Sequence, residues 1–207
     1  MDIERTVRNL KKNGYTVSVF DSPKEAALYI DRAVDGCTVG FGDSRTMADM
    51  GLYSLLSSHN TVYDPFQAGD NDEFLELAEK ALITDVFLTS VNAMAETGEM
   101  VNIDGTGNRV AGSMFRHRKV YFVVGTNKIE PDLDRALRRA RNIAGPMNSL
   151  KYDSDTPCVH WFKKTGGYRC FDCDSPDRIC NTLNIYLKKL QDMDDMEVVL
   201  IDEPMGF

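Results

Sequence analysis

The sequence has three histidines, one tryptophan and no apolar run near the roughly 20 residues that cross a bilayer. A membrane-spanning helix is therefore not expected. The Met1 end lacks the basic and then apolar stretch of a secretory signal, so a cytoplasmic protein is expected. Base is also in deficit, with 24 Lys and Arg against 32 Asp and Glu and a net charge of −8. Affinity for nucleic acid rests on cations that neutralise phosphates, so nucleic acid is not an expected partner. Two local basic runs, Arg116 to Lys119 and Arg135 to Arg141, read as solvated faces. No Ser-His-Asp or Cys-His constellation can be assembled around His59, His117 or His160, and no internal repeat is visible.

Cysteine is scarce except in one place. Four of the five cysteines, Cys158, Cys170, Cys173 and Cys180, form a C-x11-C-x2-C-x6-C pattern. Disulfides are disfavoured in a reducing compartment, which moves clustered thiols towards metal or redox duty. Thiolates are soft anionic ligands, and four converging on one point suit a 4Fe-4S cluster or a tetrahedral zinc ion. The step from Cys170 to Cys173 resembles a metal knuckle. The irregular outer spacings favour iron–sulfur over a zinc ribbon built from two C-x2-C units. His160 is a weaker alternative ligand, and Cys37, at the start of a strand, reads as a small core residue.

Along the chain, strand and helix patterns alternate. Ile3, Val7 and Leu10 mark a helix ending at Gly14, and residues 15–20 alternate like a strand. Ser22-Pro23 opens a second helix that runs to Gly36. Strands follow at 37–41, 61–63, 86–89, 100–103, 120–124 and 197–201, with helices at 46–56, 72–83, 131–144 and 179–190. Val120 to Val124 is a continuous apolar run, as expected of a strand buried on both faces. This order predicts an α/β sandwich around a mainly parallel sheet, in a single domain spanning 1–207. Residues 145–183 lack periodicity through most of their length and read as an irregular cysteine-rich insertion.

Two loops are rich enough in polar and permissive residues to form sites. The turn Gly40-Phe41-Gly42-Asp43-Ser44-Arg45-Thr46 lies between a strand and a helix, where α/β sheets bind ligands. Gly40 and Gly42 would let a ligand approach the backbone, with Asp43, Ser44, Arg45 and Thr46 supplying polar groups. The second loop runs from Asn102 to Arg109. Asp104 is a candidate catalytic base, and Gly105, Thr106, Gly107, Asn108 and Arg109 are candidate ligands of a small anionic metabolite. Upstream, Glu96 would be catalytic only if burial raised its pKa. Exposed turn acids are the plainer reading of Glu96 and Glu99.

The stretches 40–46, 93–109 and 156–181 together resemble the LUD-domain family of lactate-utilisation proteins, of DUF162 type. The run Gly98-Glu99-Met100-Val101-Asn102-Ile103-Asp104-Gly105-Thr106-Gly107-Asn108-Arg109-Val110 carries most of that likeness. The chain looks most like stand-alone members with a cysteine-bearing C-terminal segment. The resemblance implies the fold shared by glucosamine-phosphate deaminases, ribose-phosphate isomerases and CoA transferases. It also implies a link to the oxidation of lactate to pyruvate beside iron–sulfur proteins, which leaves room for redox partner proteins and for a homo-oligomer. Fold does not fix chemistry, so other readings stay open. One is a non-redox phosphosugar or acyl isomerase, hydrolase or transferase with structural zinc; another is a non-enzymatic ligand-sensing subunit.

Overall fold

A computed structural model describes all residues, 1–207. Six strands form one parallel sheet: β1 (Thr16–Phe20), β2 (Thr38–Phe41), β3 (Thr61–Tyr63), β4 (Val86–Thr89), β7 (Lys119–Gly125) and β10 (Asp195–Ile201), in the order β1-β10-β7-β4-β2-β3. A second sheet has the order β8-β5-β6-β9, built from β5 (Ala93–Ala95), β6 (Met100–Asp104), β8 (Ile129–Glu130) and β9 (Thr182–Tyr186).

Residue alternation sorts the central strands between two cores. Tyr121 and Val123 of β7 join one, with Phe41, Leu88, Val199 and Ile201. Val120, Phe122 and Val124 join the other, with Phe87, Val198 and Leu200. Every fully buried side chain of this size stabilises the fold by roughly 1.5–3 kcal/mol. The first core is covered by α2 (Pro23–Ala33), α3 (Arg45–Asp49) and α4 (Leu52–Leu56), through Ala26, Ile30, Met47, Leu52 and Leu56. The second is covered by α1 (Ile3–Lys12), α5 (Asn71–Ala81) and the small sheet, through Leu10, Ala81, Met94 and Met100. The outer side of the small sheet packs its alanines and Val101 on Ala136 and Ala140.

Local chemistry sets the helix starts. Asp2, Ser22, Asp70 and Asp132 each accept a backbone amide at the head of α1, α2, α5 and α7 (Leu133–Arg139) respectively. The helix expected over 46–56 is two short helices, because Gly51 sits at φ 64 between them and breaks the ladder.

Larger departures lie in the C-terminal third. The segment expected to be irregular contains α8 (Gly145–Lys151) and α9 (Pro157–Thr165). Between α7 and α8 the chain makes a π-helical turn over Ala140–Ala144, next to Pro146, which has no amide to donate. The helix expected at 179–190 is instead β9, paired antiparallel with β6 from Thr182↔Asp104 to Tyr186↔Met100. The basic runs are not uniformly solvated either. His117 and Arg139 are buried, His117 Nδ1 lies 2.7 Å from the Thr84 carbonyl, and Lys119 pairs with Glu197 and Asp195.

Candidate functional site

The loops that follow β2, β4 and β7 meet at the carboxyl edge of the parallel sheet. After β2 the chain crosses one face through α3 and α4; after β4 it crosses the other through the small sheet and α6 (Asn108–Met114). That divergence makes the gap between β2 and β4 a topological switch point, the usual place for a ligand in an open α/β sheet.

A polar cleft of about 400 Å³ opens there. Gly42 and Asp43 from the first loop face Asp104, Gly105, Thr106, Asn108 and Arg109 from the second. Gly42 is needed for closeness: a Cβ there would stand 2.8 Å from Thr89 Oγ1 and 3.1 Å from Arg109 Cγ. Asp104 is buried, and its two oxygens accept the amides of Gly107 at 3.1 Å and Val110 at 3.0 Å. The carboxylate therefore builds the loop that begins α6. Arg109 donates to the Ile103 carbonyl at 2.7 Å, while its buried Nε has no partner.

A narrower crevice of about 40 Å³ lies next to this cleft and shares Asp43, Arg109 and Asn148 with it. Ser44, Arg45 and Thr46 line it, together with Ser90, Asn92 and Lys128. Arg45 is held by Asp49 at 2.6 Å. Gly40 lies deeper, where a Cβ would collide with the Ala81 carbonyl oxygen at 2.5 Å, so its smallness serves the packing of α5. Lys128 was not singled out from the sequence. It is 3% exposed and donates to Thr46 Oγ1 at 3.1 Å and Ser90 Oγ at 2.9 Å. Burial, with added repulsion from Arg139 and Arg109, pushes its amine down to about 7.

Glu96 stands elsewhere. It is buried and accepts from the Asp2 amide at 2.8 Å and Arg5 Nη1 at 3.1 Å, and it lines neither the cleft nor the crevice. Its geometry is that of a clasp on α1.

The four clustered cysteines come together. Cys158, at the start of α9, and Cys170, Cys173 and Cys180 from the following loop all line a cavity of about 260 Å³. The four thiols are free and half-buried. No three His, Cys, Asp or Glu side chains form a ready-made ion site, so the sulfurs bound a space and do not meet at a point. Burial, reinforced by the Cys170, Cys158 and Cys173 sulfurs, pushes the Cys180 thiol up to about 11. A cation among the four would reverse that effect.

The step from Cys170 to Cys173 is held by local bonds. Asp172 adopts φ 47 and its amide donates to Cys170 Sγ at 3.3 Å, while Asn142, within the π turn, accepts the Cys170 amide at 3.1 Å. Arg141 and Arg178 flank the cavity, both reaching Asp172, and Arg178 also donates to the carbonyls of Cys173 and Cys180. His160 instead pairs with Asp155 and is absent from the cavity wall. Cys37 lies apart and packs beside the first core. The cysteine cavity and the polar cleft share Ile179 and Asn181, the residues on either side of Cys180.

Together these features define an α/β protein of doubly covered parallel-sheet type, with a polar cleft at the sheet's carboxyl edge and a thiol-lined cavity against it. The chain belongs to the LUD domain family, whose profile matches residues 3–201. It is similar to the crystal structure of a DUF162 family protein from Deinococcus radiodurans, with a TM-score of 0.53 and 10% identity over 96% of this chain and 95% of that one. At that identity the likeness shows the shared fold. No curated protein matches the chain at a significant level. No helix is long and apolar enough to cross a membrane.

Proposed function

We propose that this LUD-domain protein is a redox protein that binds a small anionic metabolite in the polar cleft and a 4Fe-4S cluster on Cys158, Cys170, Cys173 and Cys180. The observation that carries this reading is the shared wall: Cys180 lies between two residues that face both spaces. A cluster held there would supply one-electron transfer directly beside the bound metabolite.

The donor set favours that group over zinc. A structural zinc draws four sulfurs to about 2.3 Å from one point. Here the thiols surround a cavity, the Asp172 amide donates to Cys170 Sγ, and Arg141 and Arg178, both paired with the Asp172 carboxylate, stand on the cavity wall.

In the cleft, Asp104 fixes the loop, and Arg109 offers a cation with an unpaired Nε to a carboxylate. A 2-hydroxy acid such as lactate suits this chemistry. Its oxidation to the keto acid releases two electrons and two protons, and a redox partner protein is the acceptor in this reading. The family's link with lactate utilisation points the same way.

The test is anaerobic purification followed by iron, sulfide and zinc analysis. The expected result is four irons and four labile sulfides per chain with broad visible absorption, lost in a Cys170→Ser/Cys173→Ser double variant. A colourless protein holding one tight zinc would reject the cluster.

A further inference from the structure

Lys128 is a buried cation without its anion. None of the ion pairs in the structure involves it. An ammonium has three donors, and Thr46 and Ser90 take two. Its charged neighbours are mostly of its own sign: Arg139 from α7 and Arg109 from α6, opposed by the smaller effect of Asp49 of α3. Arg45, Asp43 and Lys151 line the same crevice.

Other polar groups there are also unused. Ser44 Oγ accepts no capping bond from α3, and the Arg109 Nε donor is buried and unpaired. The C-terminal turn closes the back of the crevice, since a Cβ on Gly206 would lie 2.5 Å from Thr46 Oγ1 and 3.3 Å from Lys128 Nζ. Unpaired buried charge is costly, and an arriving oxyanion would relieve it.

We propose that the crevice at Lys128 is an oxyanion subsite, which receives the carboxylate or phosphate head of the metabolite whose body lies in the adjoining cleft. The proposal rests on the reading that the cleft takes an anionic metabolite and deepens it; it does not depend on the cluster. Lys128 anchors the head and Arg109, shared by both spaces, clamps the junction. Because the free amine titrates near neutrality, the oxyanion draws a proton onto it. Binding then takes up a proton above pH 7 and weakens as pH rises further.

The experiment is calorimetric titration of the full chain with pyruvate and, separately, with inorganic phosphate, at pH 8 in two buffers of different ionisation enthalpy. Binding of either probe with proton uptake is expected, and the stronger of the two identifies the head group. Lys128→Met should weaken that probe at least tenfold and abolish the proton uptake. Ser90→Ala, a smaller change, should weaken it severalfold and serves if the methionine variant does not fold. Unchanged affinity in folded Lys128→Met, with binding lost in Arg109→Gln, would overturn the subsite and leave the cleft reading intact. Binding of neither probe by the wild type would overturn both.

Discussion

The amide of Asn181 donates to the carbonyl of Asp104 at 2.9 Å, and the Asn181 side chain donates to the Gly105 carbonyl. The residue after Cys180 is thereby stitched to the loop that forms the cleft. These bonds continue the pairing of β9 with β6, so the wall between thiols and cleft is sheet-like backbone. A change in the position of Cys180 would be felt at Asp104 through one peptide, which gives the two spaces a mechanical connection.

Asp104 is the keystone of that arrangement. Asp104→Ala would leave two inward amides, those of Gly107 and Val110, without acceptors, at a cost of about 2–4 kcal/mol. Asp104→Asn keeps one acceptor and should lose about half as much. Urea unfolding measures both. A loss under about 0.5 kcal/mol in the alanine variant would show that the loop holds its shape without the carboxylate.

Glu96 should behave as a structural clasp. Its partners, the Asp2 amide and the half-exposed Arg5, tie α1 to the turn after β5. Glu96→Ala is expected to destabilise by about 1–2 kcal/mol, since the arginine can turn to water. Iron content and pyruvate affinity should stay at wild-type values. A selective loss of turnover in stable Glu96→Ala protein would instead give this residue a catalytic role.

Much of this fold was legible in the sequence because parallel strands buried on both faces read as continuous apolar runs, as Val120 to Val124 does within β7. The two glycine loops stood out because their polar density exceeds what a turn requires, and the structure brings Gly42 and Asp43 of the first beside Asp104, Gly105, Thr106, Asn108 and Arg109 of the second. Strand β9 was hidden. Its apolar residues Leu183 and Tyr186, with Leu187 and Leu190 beyond it, have helical spacing, yet Leu183 is exposed on an edge strand whose conformation is set by pairing with β6, and Leu187 is exposed just past its end. Helix α9 announced itself only through Thr156-Pro157, a start signal easily missed among cysteines. Lys128 could not be found by pattern. A lone lysine after a strand is ordinarily solvated, and only the convergence of three strand ends with the C-terminal turn buries it.

That burial gives the last prediction its sign. In the unfolded chain Lys128 titrates near 10.5, while in the folded chain it is lowered to about 7. Below pH 7 both states hold the proton and the cost of burying charge is fully present. Between pH 7 and 10.5 the unfolded state binds more protons, so Lys128 makes the fold more stable as pH rises. Lys128→Met removes this dependence. The variant should therefore exceed wild type in unfolding free energy most at pH 6, and the gap should shrink by up to about 1.4 kcal/mol per pH unit towards pH 9. Taking the difference cancels the opposite contribution of Cys180, whose raised thiol pKa costs stability above pH 9. Denaturant unfolding of the two proteins from pH 6 to 9 measures the gap. A constant gap across that range would mean that the Lys128 amine stays charged in the fold, and that Thr46 and Ser90 suffice to hold it.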